Sequence, residues 1–318
     1  MSFTALTKSI LIRRSFLSSA ISWHKNMKMR IVILCLIYFF SSGDIFSDGE
    51  NIAIKSVQVG NISVNTSIDI FEMISPEMKK IPDGLEFLKK TYSYKSEKEH
   101  TFWFYVKEVE MITIMRRGLE VDDKKTILNS LRRRSYFSDE NTVLMLGNPP
   151  DTEKIFRMVF MRLAGLALNK ITIPEENRNE WFSNGLAAYA GFRAQKEMQG
   201  ITDPVSADDT MMEYYARFLN GDITEDIRSL ESSDAWREAL NKNPEKTYAL
   251  SSLAVLYFVR NYTAEKAIAV YSMQSEKTFE DAFKEVTGDK AEKFYSSVEK
   301  KFYPEIKKIS NKVRNTEL

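Results

Sequence analysis

Cysteine and histidine are nearly absent from this sequence. Among 318 residues there are one cysteine, Cys35, and two histidines, His24 and His100. Cys35 lies in an apolar run, and Leu34 before it is not the small residue that lipid attachment would need. Beyond residue 43 there is no cysteine, which excludes disulfides, thiol catalysis and thiolate metal sites from that part of the chain. The same part has only His100, preceded by the charged stretch "SEKE" (96–99), so His100 reads as a solvated loop residue. A Ser-His-Asp triad would have to be built on it, and no G-x-S-x-G elbow accompanies it. P-loop and dinucleotide glycine fingerprints, internal repeats and low-complexity tracts are missing too.

Excess positive charge is also lacking. Of 45 basic and 44 acidic residues, six basic and no acidic ones fall in 1–43, leaving the remainder with a net charge of −5. A mildly acidic body offers no basic face for displacing counterions, so no nucleic-acid partner is expected. The early segment accounts for the imbalance. "MKMR" (27–30), "IVILCLIYFF" (31–40) and "SSGD" (41–44) read as the basic, apolar and small-residue parts of a signal peptide cut before Asp44. Ten apolar residues are short for a membrane span. A leader over 1–43 is therefore expected, with translation from Met27 or Met29 as an alternative and membrane contact only through an uncleaved leader. Localisation would be extracytoplasmic: periplasmic, envelope-associated or secreted.

What is there follows two periods. "IAIKSVQVGNISVNTSI" (52–68) alternates around Gly60-Asn61 as a strand pair. A helix is expected over 74–93 with Pro76 in its first turn, then a strand over 101–109 and short helices near 109–118 and 125–133. "SYFSDENTVLML" (135–146) reads as strand, turn, strand, and "GNPPD" (147–151) as a break. After it the pattern is helical. Asp151 suits the N-cap of 152–170, and further helices are expected at about 175–198, 208–220, 223–230, 234–241, 246–261, 264–275, 279–287 and 290–303. The fold class is α+β: an N-terminal α+β part (44–150), a helical part (151–303) and a frayed polar tail (304–318).

Two helical stretches carry a resemblance: "VFMRLAGLAL" (159–168) and "EWFSNGLAAYAG" (180–191). They resemble the gluzincin-type zinc metallopeptidases of the peptidase MA-like group, whose site helices read roughly V-x-H-E-L-A-H-x-L and W-L-S-E-G-L-A-E-Y. Leu163 and Ala164 match the first motif; Trp181, Ser183, Gly185, Leu186, Ala187 and Tyr189 match the second. The 135–146 strand pair is similar to the one that shapes the family's substrate cleft, and residues 247–288 look like its C-terminal helices. The likeness covers roughly residues 60–303.

The departures decide what the resemblance implies. Met161 and Gly165 stand where the family has two zinc-binding histidines, Arg162 where it has the general base, and Asn184 where it has the third ligand, a glutamate. A thioether is a poor zinc ligand, glycine has no side chain, and an amide lacks the carboxylate charge. Arginine stays protonated and cannot take a proton from water. With His100 alone in the body, no register restores a two-histidine site. The resemblance therefore implies an inactive relative with no cofactor, keeping a groove for a peptide or protein ligand. Arg162, Asn184 and Tyr189 would line its floor, and the 135–146 strands would form its edge. Arg162 would face a carboxylate or phosphate, or pair with Glu180, or snorkel from the helix edge. Trp181, Leu186 and Tyr189 also fit a packed core. Two other readings stay open: an enzyme of altered chemistry or a metal-dependent hydrolase with a non-standard site, for which Glu175, Glu176 and Glu180 offer carboxylates that suit Ca²⁺ or Mg²⁺ better than zinc, and a structural role in envelope assembly.

Overall fold

The computed structural model of the chain describes residues 54–317, apart from 96–98, 148–149, 220–222 and 224–225. The leader reading over 1–43 lies outside the described residues.

Strand β1 (Ile54–Val59) turns at Gly60, whose φ of +61° suits glycine, into β2 (Ile62–Ser67), and the two pair antiparallel. Helices α1 (Ile68–Met78) and α2 (Ile81–Tyr92) then cross to β3 (His100–Tyr105), which lies parallel to β2. The single helix expected over 74–93 is thus two. Pro76 falls inside α1, and the break is enforced by Pro82, which lacks an N–H and would strike the Met78 carbonyl in a continuous helix. A second crossover runs through α3 (Glu108–Thr113), a π-turn (Ile114–Gly118) and α4 (Lys124–Arg133) to β4 (Ser135–Phe137). A tight turn leads on to β5 (Asn141–Met145). The sheet order is β1-β2-β3-β5-β4, with β5 parallel to β3 and β4 antiparallel at the rim. Buried residues run continuously along β2 from Ile62 to Thr66, as expected of a strand covered on both faces.

The second half is helical: α5 (Thr152–Leu168), α6 (Glu180–Met198), α7 (Pro204–Ala216), α8 (Ser233–Lys242), α9 (Pro244–Tyr262), α10 (Ala264–Met273), α11 (Phe279–Thr287), α12 (Ala291–Ser297) and α13 (Tyr303–Glu317). The fold is α+β. Asp151 caps α5 as expected, accepting from the Lys154 N–H at 3.1 Å. Helix α6 starts at Glu180 rather than 175, capped by Asn179 after a 3₁₀ turn, and α7 starts four residues early, on an Asp203 cap. Of the helix expected at 223–230, only a 3₁₀ turn over Ile227–Leu230 forms among the described residues.

The polar tail is corrected more sharply. Residues 303–317 continue as α13, reached through a π-turn over Val298–Phe302 in which the Tyr303 N–H bonds the Val298 carbonyl. Pro304 would strike the Lys300 carbonyl in a regular helix, and the wider turn relieves that contact. Ile306 (0% exposed) and Ile309 then pack on the core beside α7. Their spacing is the helical signal that the abundance of charge obscured.

Helix α6 is the axis of the helical half. Fifteen of its 19 residues are buried, because α2, α5 and α9 all pack on it. Small residues permit these approaches. A Cβ on Gly191 would lie 2.4 Å from the Met161 nitrogen of α5, and one on Gly185 2.5 Å from the Ser251 carbonyl of α9. One continuous core joins Ile62 and Phe102 of the sheet to Trp181, Phe258 and Ile306 of the helices, so the strand-rich and helical stretches form a single compact unit.

Candidate functional site

Arg162 projects from the middle of α5 toward the turn between β4 and β5. Its Nη2 donates to the Ser138 carbonyl at 2.7 Å, and its guanidinium lies 5.4 Å from the centre of the exposed Phe137 ring. Ser138 is free to accept because the Asn141 N–H bonds the Ser138 Oγ instead, at 3.1 Å. Half-burial depresses the Arg162 pKa, while the Asp139 charge opposes that shift.

The turn is also held by His100. This residue opens β3 and is buried (3% exposed), which corrects its reading as a solvated loop residue. Nδ1 faces the Asp139 carbonyl at 3.1 Å and Nε2 the Thr142 hydroxyl at 3.0 Å. A carbonyl can only accept, so Nδ1 carries the proton and Nε2 accepts from Thr142. Burial, then the neighbouring Arg162 charge, lower the His100 pKa to about 4. Both ring nitrogens are engaged inside the protein, which leaves no lone pair for a substrate proton. Burial is the datum that sequence lacked: the charged "SEKE" ahead of His100 signalled solvent, whereas the strand starts on the histidine itself.

The other motif positions fall on the neighbouring faces of α5 and α6. Met161 is partly buried against the core beside Gly191, and nothing lies closer than 3.9 Å to a Cβ placed on Gly165. Asn184 donates through Nδ2 to the Glu180 carbonyl (2.9 Å) and to its Oε2 (3.0 Å); Glu180 Oε1 accepts from the Ser233 hydroxyl at 2.7 Å. Glu180 is therefore satisfied within α6 and α8 and does not pair with Arg162. Tyr248 on α9, which the sequence reading missed, lies close enough to both Glu180 and Arg162 for their charges to bear on its hydroxyl, pushed up to about 12 chiefly by burial. The face at these motif positions is thus Arg162, Gly165 and Asn184, with Tyr248 beside them. These residues do not fit a zinc ion: two ligand positions offer a packed thioether and no side chain, and the third offers an amide engaged by its own helix. Among the described residues no three His, Cys, Asp or Glu side chains converge as a metal site.

No protein-family model matches the chain, and no curated protein matches it either.

Tyr189 is not on this face. It is 2% exposed, and its hydroxyl accepts from Arg193 Nη1 (3.2 Å) and donates to Asp208 Oδ1 (3.4 Å). That corrects its placement on a groove floor; the core reading holds for it, as for Trp181 and Leu186. The network around it was invisible in sequence because Tyr189 and Arg193 come from α6 and Asp208 from α7. Arg193, 7% exposed, lies 3.6 Å from Asp208, and Arg157, 3% exposed, stacks 3.7 Å from the centre of the Tyr214 ring.

The rim strand β4 is the remaining element. Ser138 N–H bonds Asn141 O (2.8 Å) and Met145 N–H bonds Arg134 O (2.9 Å), so residues 134, 136 and 138 face β5. By alternation the N–H and C=O groups of Ser135 and Phe137 point outward from the sheet. The described helices include none long and apolar enough to cross a membrane.

Proposed function

We propose that this chain is a non-catalytic peptide- or protein-binding module on a peptidase MA-like scaffold, exported to the cell envelope. One observation carries the reading: β4 is a sheet rim with outward backbone groups at Ser135 and Phe137, anchored to the remnant site helix by Arg162. An extended peptide would add to that rim as a sixth strand, with its main chain giving affinity and the Phe137 ring and the Arg162–Asn184–Tyr248 face giving selectivity. The non-catalytic half rests on Met161, Arg162, Gly165 and Asn184, none of which can ligate zinc or accept a proton. Export rests on the basic, apolar and small-residue pattern of 27–44.

Selection of peptides from a random decapeptide library against the full chain tests the groove. Phe137→Pro removes an outward N–H without removing a bond to β5, and should abolish binding of the selected peptides. Phe137→Ala should weaken it only in part. Peptides that bind equally well to Phe137→Pro would refute strand addition. Stoichiometric zinc, lost to a chelator together with peptide hydrolysis, would refute the non-catalytic half, and an intact Met1 on exported protein would refute processing.

A further inference from the structure

A cleft of about 500 Å³ opens on the opposite end of α9, between its last turns and the α12 helix with the π-turn that follows. It is separate from the remnant peptidase face and unused by the proposed function. Its volume is that of a small-ligand site. Part of the lining is aromatic: Tyr257 and Phe294, with ring centres 5.9 Å apart; the Tyr257 ring is held by stacking 4.6 Å from the buried Phe302, and its hydroxyl is hydrogen-bonded to Ser297 Oγ at 2.7 Å. Another part is cationic. Lys293 of α12 and the consecutive Lys300 and Lys301 of the π-turn all line the cleft.

The charges there do not cancel. Asp289 is the one acid among the described lining residues, and it accepts from Lys293 Nζ at 2.7 Å and from the Tyr262 hydroxyl at 2.9 Å. Glu299, next to Lys300 in sequence, pairs with Arg228 at 3.5 Å. Lys300 and Lys301 are both exposed, and neither pairs with a described carboxylate. Two free ammonium groups thus share the cleft with the aromatic lining. Two unpaired ammonium charges match the charge of about −1.5 to −2 that a phosphomonoester carries at neutral pH, whereas a carboxylate brings only one negative charge.

We propose that this cleft binds a phosphomonoester carried on an apolar body, with the phosphate between Lys300 and Lys301 and the body against Tyr257 and Phe294. The group could belong to a soluble ester or to a lipid headgroup, and two arms of one experiment separate these sources. Phenyl phosphate is titrated calorimetrically into the full chain, and the chain is floated with vesicles of a neutral phospholipid containing phosphatidic acid. The Lys300→Gln, Lys301→Gln double variant alters exposed side chains only, and its unfolding temperature confirms that it folds. Saturable phenyl phosphate binding, weakened about tenfold to a hundredfold in the double variant, establishes the site for a soluble ester. Flotation that the double variant loses, without phenyl phosphate binding, establishes it for a headgroup. Absence of both, or binding that the double variant leaves unchanged, overturns the proposal.

Discussion

Replacing Arg162 with alanine should loosen the β4–β5 turn and show itself at a residue that the substitution does not alter. The 2.7 Å bond from Nη2 to the Ser138 carbonyl is charge-assisted and contributes about 1.5–3 kcal/mol. The guanidinium on Phe137 adds about 0.5–1 kcal/mol. Relief of a half-buried charge offsets part of this, so the expected net loss is about 2 kcal/mol, a fall of about 4–8 °C in Tm for a body of this size. Arg162 is also the second cause, after burial, of the low His100 pKa of about 4. Its removal should therefore move that pKa upward. With only two histidines in the chain, the His100 imidazole resonance can be followed by NMR against pH beside that of His24. Arg162→Lys separates the two effects: it keeps the charge, and hence the low pKa, but loses the geometry of the fork. An unchanged Tm in Arg162→Ala, or a His100 titration that fails to rise, would refute the clamp.

Further tests address other links. Because His100 has its pKa lowered from 6.5 to about 4 on folding, the unfolded chain binds more protons in that window. Its contribution, about 3 kcal/mol, is present in full above pH 6.5 and lost as the pH falls toward 4; His100→Gln should flatten this slope in urea unfolding measured from pH 7 to 4. Gly191→Ala should destabilise by about 1–3 kcal/mol or more, since its Cβ would meet the Met161 backbone at 2.4 Å. Gly165→Ala, with its nearest neighbour at 3.9 Å, should instead stabilise by up to about 1 kcal/mol, and thermal melts of the pair would show opposite signs. Ile306→Ala should cost about 2–5 kcal/mol in denaturant unfolding if α13 is part of the core, and almost nothing if the tail were frayed.

Local chemistry was legible where it is written in consecutive residues. The Gly60-Asn61 turn, the Asp151 cap and the strand pair at 135–146 all rest on neighbours in sequence, and each forms. Boundaries were missed where a later proline acts backward along the chain, as Pro82 does on Met78 and Pro304 on Lys300. The site was legible in part. Leu163, Ala164, Trp181, Gly185, Leu186, Ala187 and Tyr189, the residues that carry the peptidase likeness, are all buried, Ser183 being the partly exposed exception. The departing positions Met161, Arg162, Gly165 and Asn184 are all partly exposed. Packing alone would hold the first group in place, whatever its chemistry had become. Meetings between distant segments, such as His100 with Asp139 and Tyr189 with Asp208, have no signature in either stretch alone.

The burial of α6 on every side has a consequence for how the chain opens and is degraded. A helix whose neighbours are α2, α5 and α9 loses its surroundings if any one of them departs, so its amides should exchange with solvent only when the whole body unfolds. Proteolytic nicking at the helix junctions around Gly200 or Gly288 would then leave no half able to persist alone. The molecule should disappear from a digest in one step, without a stable fragment.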